Sequence, residues 1–316
     1  MNCVRFRHFA RLNPDGTVSR CGHMVNAPRF ESFNEMNASE WNQNLGNWPD
    51  ECIRCRVSEN EGKESIRQFA EKQHQELHNI RRDYLIIGGV LDNVCNSACQ
   101  HCNPHLSTKF GAIANKTIAV DNTDKFYDFP QERIVKLDIN GGEPTASPNY
   151  KKLLEYLPPN IRYVRINTNG SLKIDPKPLL KRDIDVTITM SLDGIDKVHD
   201  YLRWPVTWKT WLKTFNYYKR FKNDNFHLDL WSTISALNIG DFNNIKQFVE
   251  SKQVNWSWAF LESPDVLSVR HTNFLTEPHK DLFENVVGTE QDNSHKLTEW
   301  MLYQDTIRKI NYKDYL

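Results

Sequence analysis

VCNSACQHC, residues 94–102, sets three cysteines, Cys95, Cys99 and Cys102, at the spacing CxxxCxxC. It follows the apolar run YLIIGGVL, residues 84–91, which reads as a buried strand, so the cysteines fall on a loop at that strand's carboxyl end. Three thiolates on one short loop can hold three irons of a 4Fe-4S cube and leave the fourth iron open to a small molecule. A zinc loop or three unrelated thiols are the alternatives this stretch leaves open.

Five further strand-like runs follow: IVKLDIN (134–140), IRYVRIN (161–167), IDVTITMSL (184–192), FHLDLWSTI (226–234) and VNWSWAFL (254–261). Helix-length segments separate most of them, around 150–157, 208–221 and 241–251. The repeat of about thirty residues suits right-handed βα units and a parallel sheet. The expectation is an α/β fold, a partial (β/α)6 TIM-like barrel over residues 83–262, with ligands at the carboxyl ends of the strands. Residues 1–82 read as a small cysteine-rich N-terminal metal-binding module and a connecting helix. That helix, from about 63 to 82, carries Ile66, Phe69, Ala70, Leu77 and Ile80 on one face. Up to about residue 62 the module reads as irregular, with turn signals at Asn13-Pro14-Asp15-Gly16 and Trp48-Pro49-Asp50. Residues 263–316 read as a loop and a helical C-terminal tail, clearest in HKLTEWMLYQDTIRKI.

Forty basic and forty acidic residues cancel, so no global field favours nucleic acid. Hydrophobic residues make up 39% of the chain, with nine Trp and sixteen Phe, enough for a packed core. No run approaches the roughly 18 apolar residues of a membrane span, and no signal peptide is evident, so a soluble cytoplasmic protein is expected. The seven cysteines form two tight clusters and end at Cys102, which fits metal ligation in a reducing compartment better than disulfides.

After the second strand comes NGGEP, residues 140–144. Paired glycines let the backbone approach a ligand, and Glu143 can face an ammonium group. NTNG (167–170) follows the third strand, SLDG (191–194) and HDYLR (199–203) the fourth, and STISALNIGDF (232–242) ends the fifth. Together with CxxxCxxC, these motifs closely resemble those of radical S-adenosylmethionine (SAM) enzymes. The resemblance implies a SAM-binding 4Fe-4S cluster on Cys95, Cys99 and Cys102. It implies that Gly141, Gly142, Glu143 and Pro144 hold the methionine amino group. It assigns Ser191 and Asp193 of SLDG, with Asn169 of NTNG, to the cofactor, and Arg203 to its carboxylate or to the substrate. Ser235 and Asn238 are implied to meet ribose and adenine, and His101 to lie beside the adenine.

Cys3, Cys21, Cys52 and Cys55 complete a four-thiolate set that suits either zinc or a fully ligated iron–sulfur cluster. Their surroundings, with CNPHLSTKF (102–110) and YQDTIRKI (303–310), resemble the auxiliary-cluster type of radical SAM protein called twitch or SPASM-related, here with its module at the amino terminus. That resemblance implies a second 4Fe-4S cluster. The module departs from the pattern where Cys21 is followed by Gly22 rather than by another cysteine. A metal would also serve folding, because so small an irregular module commonly needs one.

The implied activity is reductive cleavage of SAM to a 5′-deoxyadenosyl radical and hydrogen abstraction from a substrate. A peptide or protein side chain is the first reading, a small metabolite such as a sugar or cyclitol the second. A zinc-stabilised binding protein without turnover is a third. No winged-helix leader-peptide module is expected before Cys3. A flavodoxin or ferredoxin is the implied reductant. Trp256, Trp258 and Phe260 alternate on one face of the sixth strand and suit either a cavity lining or the core. Glu262, just past that strand, is a candidate proton handler or substrate contact.

Overall fold

The computed structural model describes residues 3–43, 48–261, 263–269 and 294–316. Its strands are β1 (Phe9–Leu12), β2 (Val18–Ser19), β3 (Leu85–Val90), β4 (Ile134–Asn140), β5 (Tyr163–Thr168), β6 (Asp185–Ser191), β7 (Phe226–Ile234) and β8 (Asn255–Phe260). They form one sheet in the order β2-β1-β3-β4-β5-β6-β7-β8. The six strands expected from sequence are β3 to β8, adjacent in chain order, with helices Pro148–Glu155, Lys177–Leu180, Trp208–Tyr218 and Phe242–Lys252 in the later crossovers. The pairs β3/β4, β4/β5 and β7/β8 are parallel, as βα units require.

The amino-terminal module is more regular than its turn signals suggested. Helix Val4–His8 leads into β1, which pairs antiparallel with β2 and parallel with β3. Phe9, Ala10 and Leu12 are buried, so a strand of four residues is enough to extend the sheet.

By internal contacts the chain divides into two compact units. The first comprises Met1–Asn93, Ala119–Ile166 and Pro176–Val186. One of its cores joins Val4, Phe9, Leu77, Tyr84, Ile86 and Val135. Helix Ile66–Ile80 starts at a capping box in which Ser65 and Gln68 satisfy each other's backbone amides. Its expected apolar face is only partly used: Leu77 is buried, whereas Phe69 and Ile80 are 44% and 37% exposed. Polar residues carry the remaining contact, since Lys136 Nζ donates to Gln73 Oε1 at 3.2 Å and the Tyr163 hydroxyl to Glu76.

The second unit comprises Val94–Ile118, Asn167–Asp175 and Thr187–Leu316. Here Trp256, Trp258 and Phe260 pack against Ile234, Ile239, Phe242 and Val269, which makes them core and not a cavity lining. Trp256 Nε1 donates to Ser232 Oγ at 2.9 Å, so the indole is satisfied within that core.

Where β1 meets β3, Gly89 has φ +103°, and a Cβ there would lie 2.1 Å from the Leu12 carbonyl oxygen. Gly89→Ala should therefore lower unfolding stability by about 3 kcal/mol. Urea unfolding checks this; a midpoint like that of the wild type contradicts it.

Candidate active site

In the second unit the cysteine loop has little secondary structure of its own, so its backbone groups need partners from elsewhere in that unit. Ala98 N donates to Trp204 O at 2.7 Å and Gln100 N to Leu202 O at 2.9 Å, a short ladder against the end of helix Asp196–Leu202. Ser107 Oγ donates to Ser97 O at 2.6 Å, and Cys95 N donates to Thr108 Oγ1 at 3.0 Å. Cys99 is buried, while Cys95 and Cys102 are half-buried. Ser97 N donates to Cys95 Sγ at 3.4 Å and Arg203 Nη1 to Cys99 Sγ at 3.7 Å, so two of the three sulfurs already receive N–H groups. Burial and the nearby Cys99 push the Cys102 thiol up to about 12. A cation that accepts thiolates would relieve that cost.

Arg203 and Asp193 form a buried ion pair, Nη2 to Oδ2 at 2.5 Å. Burial opposes the charge on Arg203, but Asp193 and Cys99 outweigh it and hold the guanidinium charged. Asp193 Oδ1 also accepts from Thr233 N at 2.8 Å, and Asp193 O accepts from Asn238 Nδ2 at 2.7 Å. Asn238 Oδ1 in turn receives Ser235 N at 2.7 Å. Asp193, Arg203, Ser235 and Asn238 are thus one network joining the strand ends of β6 and β7 to Cys99. Asn169 is tied to the same loop, donating from Nδ2 to Asn96 Oδ1 at 3.0 Å, and Asn96 Nδ2 donates to Ser171 Oγ at 2.9 Å. The carbonyl of Ser191 accepts from Trp211 Nε1 at 2.9 Å. His101 is half-buried; burial pushes its imidazole down to about 4, with Asp193 opposing, so the ring is neutral at pH 7.

In the first unit, Gly141 and Gly142 follow β4 with φ +93° and +54°. A Cβ on Gly141 would lie 2.6 Å from Val90 Cγ1, so only glycine fits this turn. Glu143 is 1% exposed, and its Oε1 accepts from Thr145 N at 3.1 Å and Thr145 Oγ1 at 2.6 Å; Pro144 beside it is buried.

Cys3, Cys21, Cys52 and Cys55, also in the first unit, line a common cavity of about 20 Å³ with Phe6, Met24, Trp48 and Arg67. Burial raises the Cys3, Cys52 and Cys55 thiols, and neighbouring cysteines add to each shift, taking Cys52 to about 12. Four cysteine sulfurs around one cavity are the donor set a thiophilic metal or cluster requires. Among the described residues, no three His, Cys, Asp or Glu side chains converge as the ligands of a single metal ion would. The fit of either cysteine set therefore rests on donor chemistry and surroundings. Glu262 lies outside the described residues.

The model of the Radical SAM superfamily matches residues 91–249, half of the chain, from the end of β3 through helix Phe242–Lys252. The chain belongs to the radical SAM superfamily. Among curated relatives, the mycofactocin maturase MftC of Mycobacterium ulcerans (strain Agy99) is 28% identical over 116 residues, 36% of this chain and 30% of the relative. The antilisterial bacteriocin subtilosin biosynthesis protein AlbA of Bacillus subtilis (strain 168) is 29% identical over 117 residues, 36% of this chain and 25% of the relative. The chain thus matches less than a third of the length of either. Of solved structures, native anSMEcpe with bound AdoMet aligns with TM-score 0.44 and 16% identity, covering 72% of this chain and 62% of that one. Streptococcus suis SuiB bound to precursor peptide SuiA aligns with TM-score 0.41 and 17% identity, covering 98% and 71%.

Three residues around the cysteine loop were not singled out as site candidates in sequence. Asn96 and Ser97 lie inside the cysteine motif, where polar residues read as loop filler. Arg308 lies in the tail and donates to Ala98 O and Cys99 O.

His199, of the HDYLR stretch, is fully buried beside Trp208 and Trp211, and neither ring nitrogen has a hydrogen-bond partner among the described residues. Burial, reinforced by Arg203, lowers it to about 3. An unfolded histidine titrates near 6.5, so between about 6.5 and 3 the unfolded chain binds the extra proton and stability falls with falling pH. His199→Phe should flatten that slope by up to about 1.4 kcal/mol per pH unit. Urea midpoints from pH 7 to pH 5 measure it, and an unchanged slope contradicts the assignment.

Proposed function

We propose that this chain is a radical SAM enzyme that oxidatively modifies a peptide or protein side chain, including by crosslinking. In this reading Cys95, Cys99 and Cys102 hold the SAM-binding 4Fe-4S cluster, and Cys3, Cys21, Cys52 and Cys55 hold an auxiliary cluster of twitch/SPASM-related type. The observation that carries it is the three-cysteine loop at the carboxyl end of β3, inside the matched superfamily region, with N–H donors already directed at two of its sulfurs. The peptide substrate is supported by two relatives, one named as a mycofactocin maturase and one for bacteriocin biosynthesis.

A cluster held by Cys95, Cys99 and Cys102 would supply one electron to the sulfonium of bound SAM, the chemistry that splits its C5′–S bond into methionine and a 5′-deoxyadenosyl radical able to abstract hydrogen from a substrate C–H bond. The chain's own residues bind and orient. Gly141 and Gly142 open the backbone after β4 for close approach, and Glu143 supplies a buried carboxylate for the methionine ammonium group. Asn169, Ser191, Ser235 and Asn238 supply polar groups at the strand ends for ribose and adenine. His101, neutral at pH 7, offers a flat ring beside adenine instead of a charge. Arg203 is already paired with Asp193 and donates toward Cys99, so its part is to steady the cluster loop and not to seek the cofactor carboxylate alone.

The auxiliary site would take an electron from the substrate radical, which makes the net reaction an oxidation. A flavodoxin or ferredoxin of low potential would supply the starting electron. Among the described residues no helix is long and apolar enough to cross a membrane, and clustered free thiols suit the reducing cytoplasm.

Anaerobic reconstitution tests the reading. About eight irons per chain are expected, falling to about four in a Cys52→Ala, Cys55→Ala variant and likewise in a Cys95→Ala, Cys99→Ala, Cys102→Ala variant. With dithionite and SAM, only chains with all three loop cysteines should release 5′-deoxyadenosine. Release that survives the triple substitution, or zinc in place of iron, overturns the proposal.

A further inference from the structure

A buried guanidinium from the far end of the chain closes on the cysteine loop. Arg308 ends helix Ser294–Arg308 and is 3% exposed. Its Nε and Nη2 donate to Ala98 O at 3.0 and 2.8 Å, and Nη2 also reaches Cys99 O at 3.3 Å. Nη1 donates to Gln304 O at 3.0 Å and to the Gln304 side-chain oxygen, so its own helix grips the other end of the fork. The Phe110 ring lies under the guanidinium, 5.3 Å from its centroid. Leu297 and Met301, on the same helix, are packed with Tyr201, Leu202, Leu237 and Leu267, which anchors the arm in the core of the second unit.

An arginine at a helix end ordinarily caps its own last carbonyls and faces water. Here three of the five bonds leave the helix, and the charge is buried. No carboxylate forms an ion pair with Arg308 among the described residues, and the nearby Asp305 accepts from Tyr312 N at 2.6 Å instead. Burial pulls Arg308 down to about 10, opposed by Cys99, then Tyr201, Asp305 and Cys102. Arg203, the other guanidinium beside the loop, is neutralised by Asp193. Arg308 is therefore a buried cation with no contact ion pair among the described residues, its forked hydrogen bonds directed at the cysteine loop, and a thiolate-ligated cluster is anionic.

We infer that Arg308 is a positioning residue of the cluster loop: it fixes the carbonyls of Ala98 and Cys99 and sets a permanent positive charge that raises the reduction potential of the cluster held there. The inference rests on the proposed ligation by Cys95, Cys99 and Cys102. Each electron added makes such a cluster more negative, so a fixed cation beside it favours the reduced form. The C-terminal helix is in this way coupled to how readily the site accepts its electron.

The test is a redox titration of the reconstituted full chain, followed by electron paramagnetic resonance without SAM. The triple loop-cysteine variant marks which signal belongs to the loop. Two substitutions remove the net charge differently: Arg308→Gln deletes it, and Gln304→Glu neutralises it while leaving the guanidinium in place. At the potential that half-reduces the wild type, each is expected to show about a tenfold lower reduced-to-oxidised ratio, which is a shift of about 59 mV to more negative values. Arg308→Lys, which keeps the charge, is expected to stay near the wild type. A loop signal whose potential is unmoved in Gln304→Glu, or in an iron-replete Arg308→Gln, overturns the inference while leaving the ligation intact. A wild-type signal indistinguishable from that of the triple variant overturns the ligation and the inference with it.

Discussion

The second unit is organised around a loop that cannot hold itself. Residues 95–102 make almost no internal ladder, yet three sulfurs on this stretch have to keep a fixed geometry if they are to grip one inorganic core. Their backbone is held from outside by the carbonyls of Leu202 and Trp204, by the hydroxyls of Ser107 and Thr108, and by the guanidinium of Arg308. Each external bond removes a freedom that the loop would otherwise regain. Electrostatic preparation comes from other groups, Ser97 N at the Cys95 sulfur and Arg203 Nη1 at the Cys99 sulfur.

The Arg203–Asp193 pair connects this loop to the strand ends. A buried ion pair gains little net stability over apolar packing, and breaking one side of it leaves an expensive charge behind. Its placement is better understood as registry. Asp193 is bonded from β7 through Thr233 and from the following turn through Asn238, so the guanidinium that reaches Cys99 is aimed by a strand and its turn at once. The outer cysteines follow a different logic, with four sulfurs around one small cavity in a module of short elements, where burial opposes ionisation of Cys3, Cys52 and Cys55.

Most of the α/β core was legible in sequence because its signals are local. IVKLDIN and IDVTITMSL are strands by composition and alternation, and CxxxCxxC and GGEP announce themselves at strand ends. β1 and β2 were missed because four and two residues are too few to establish a period, and because Cys3 and Cys21 drew the segment toward a loop reading. The apolar stripe from Ile66 to Ile80 predicted the helix but overstated its burial, since Gln73 and Glu76 carry contacts that a hydrophobic pattern cannot express. Arg203 was singled out in sequence as a candidate, but its pairing with Asp193 depends on tertiary placement. Arg308 was illegible for the same reason: an arginine ending a mostly polar helix looks solvated until the helix is seen to pack on the cysteine loop.

The central claim is that three thiolates leave one iron of a loop-bound cube free to chelate SAM. Electron–nuclear double resonance on the reduced chain, with SAM carrying ¹⁵N in its amino group, addresses that chelation directly. A ¹⁵N coupling that appears with labelled SAM and vanishes with the triple loop-cysteine variant is the predicted result. An iron–sulfur signal that shows no coupling to saturating labelled SAM contradicts the account.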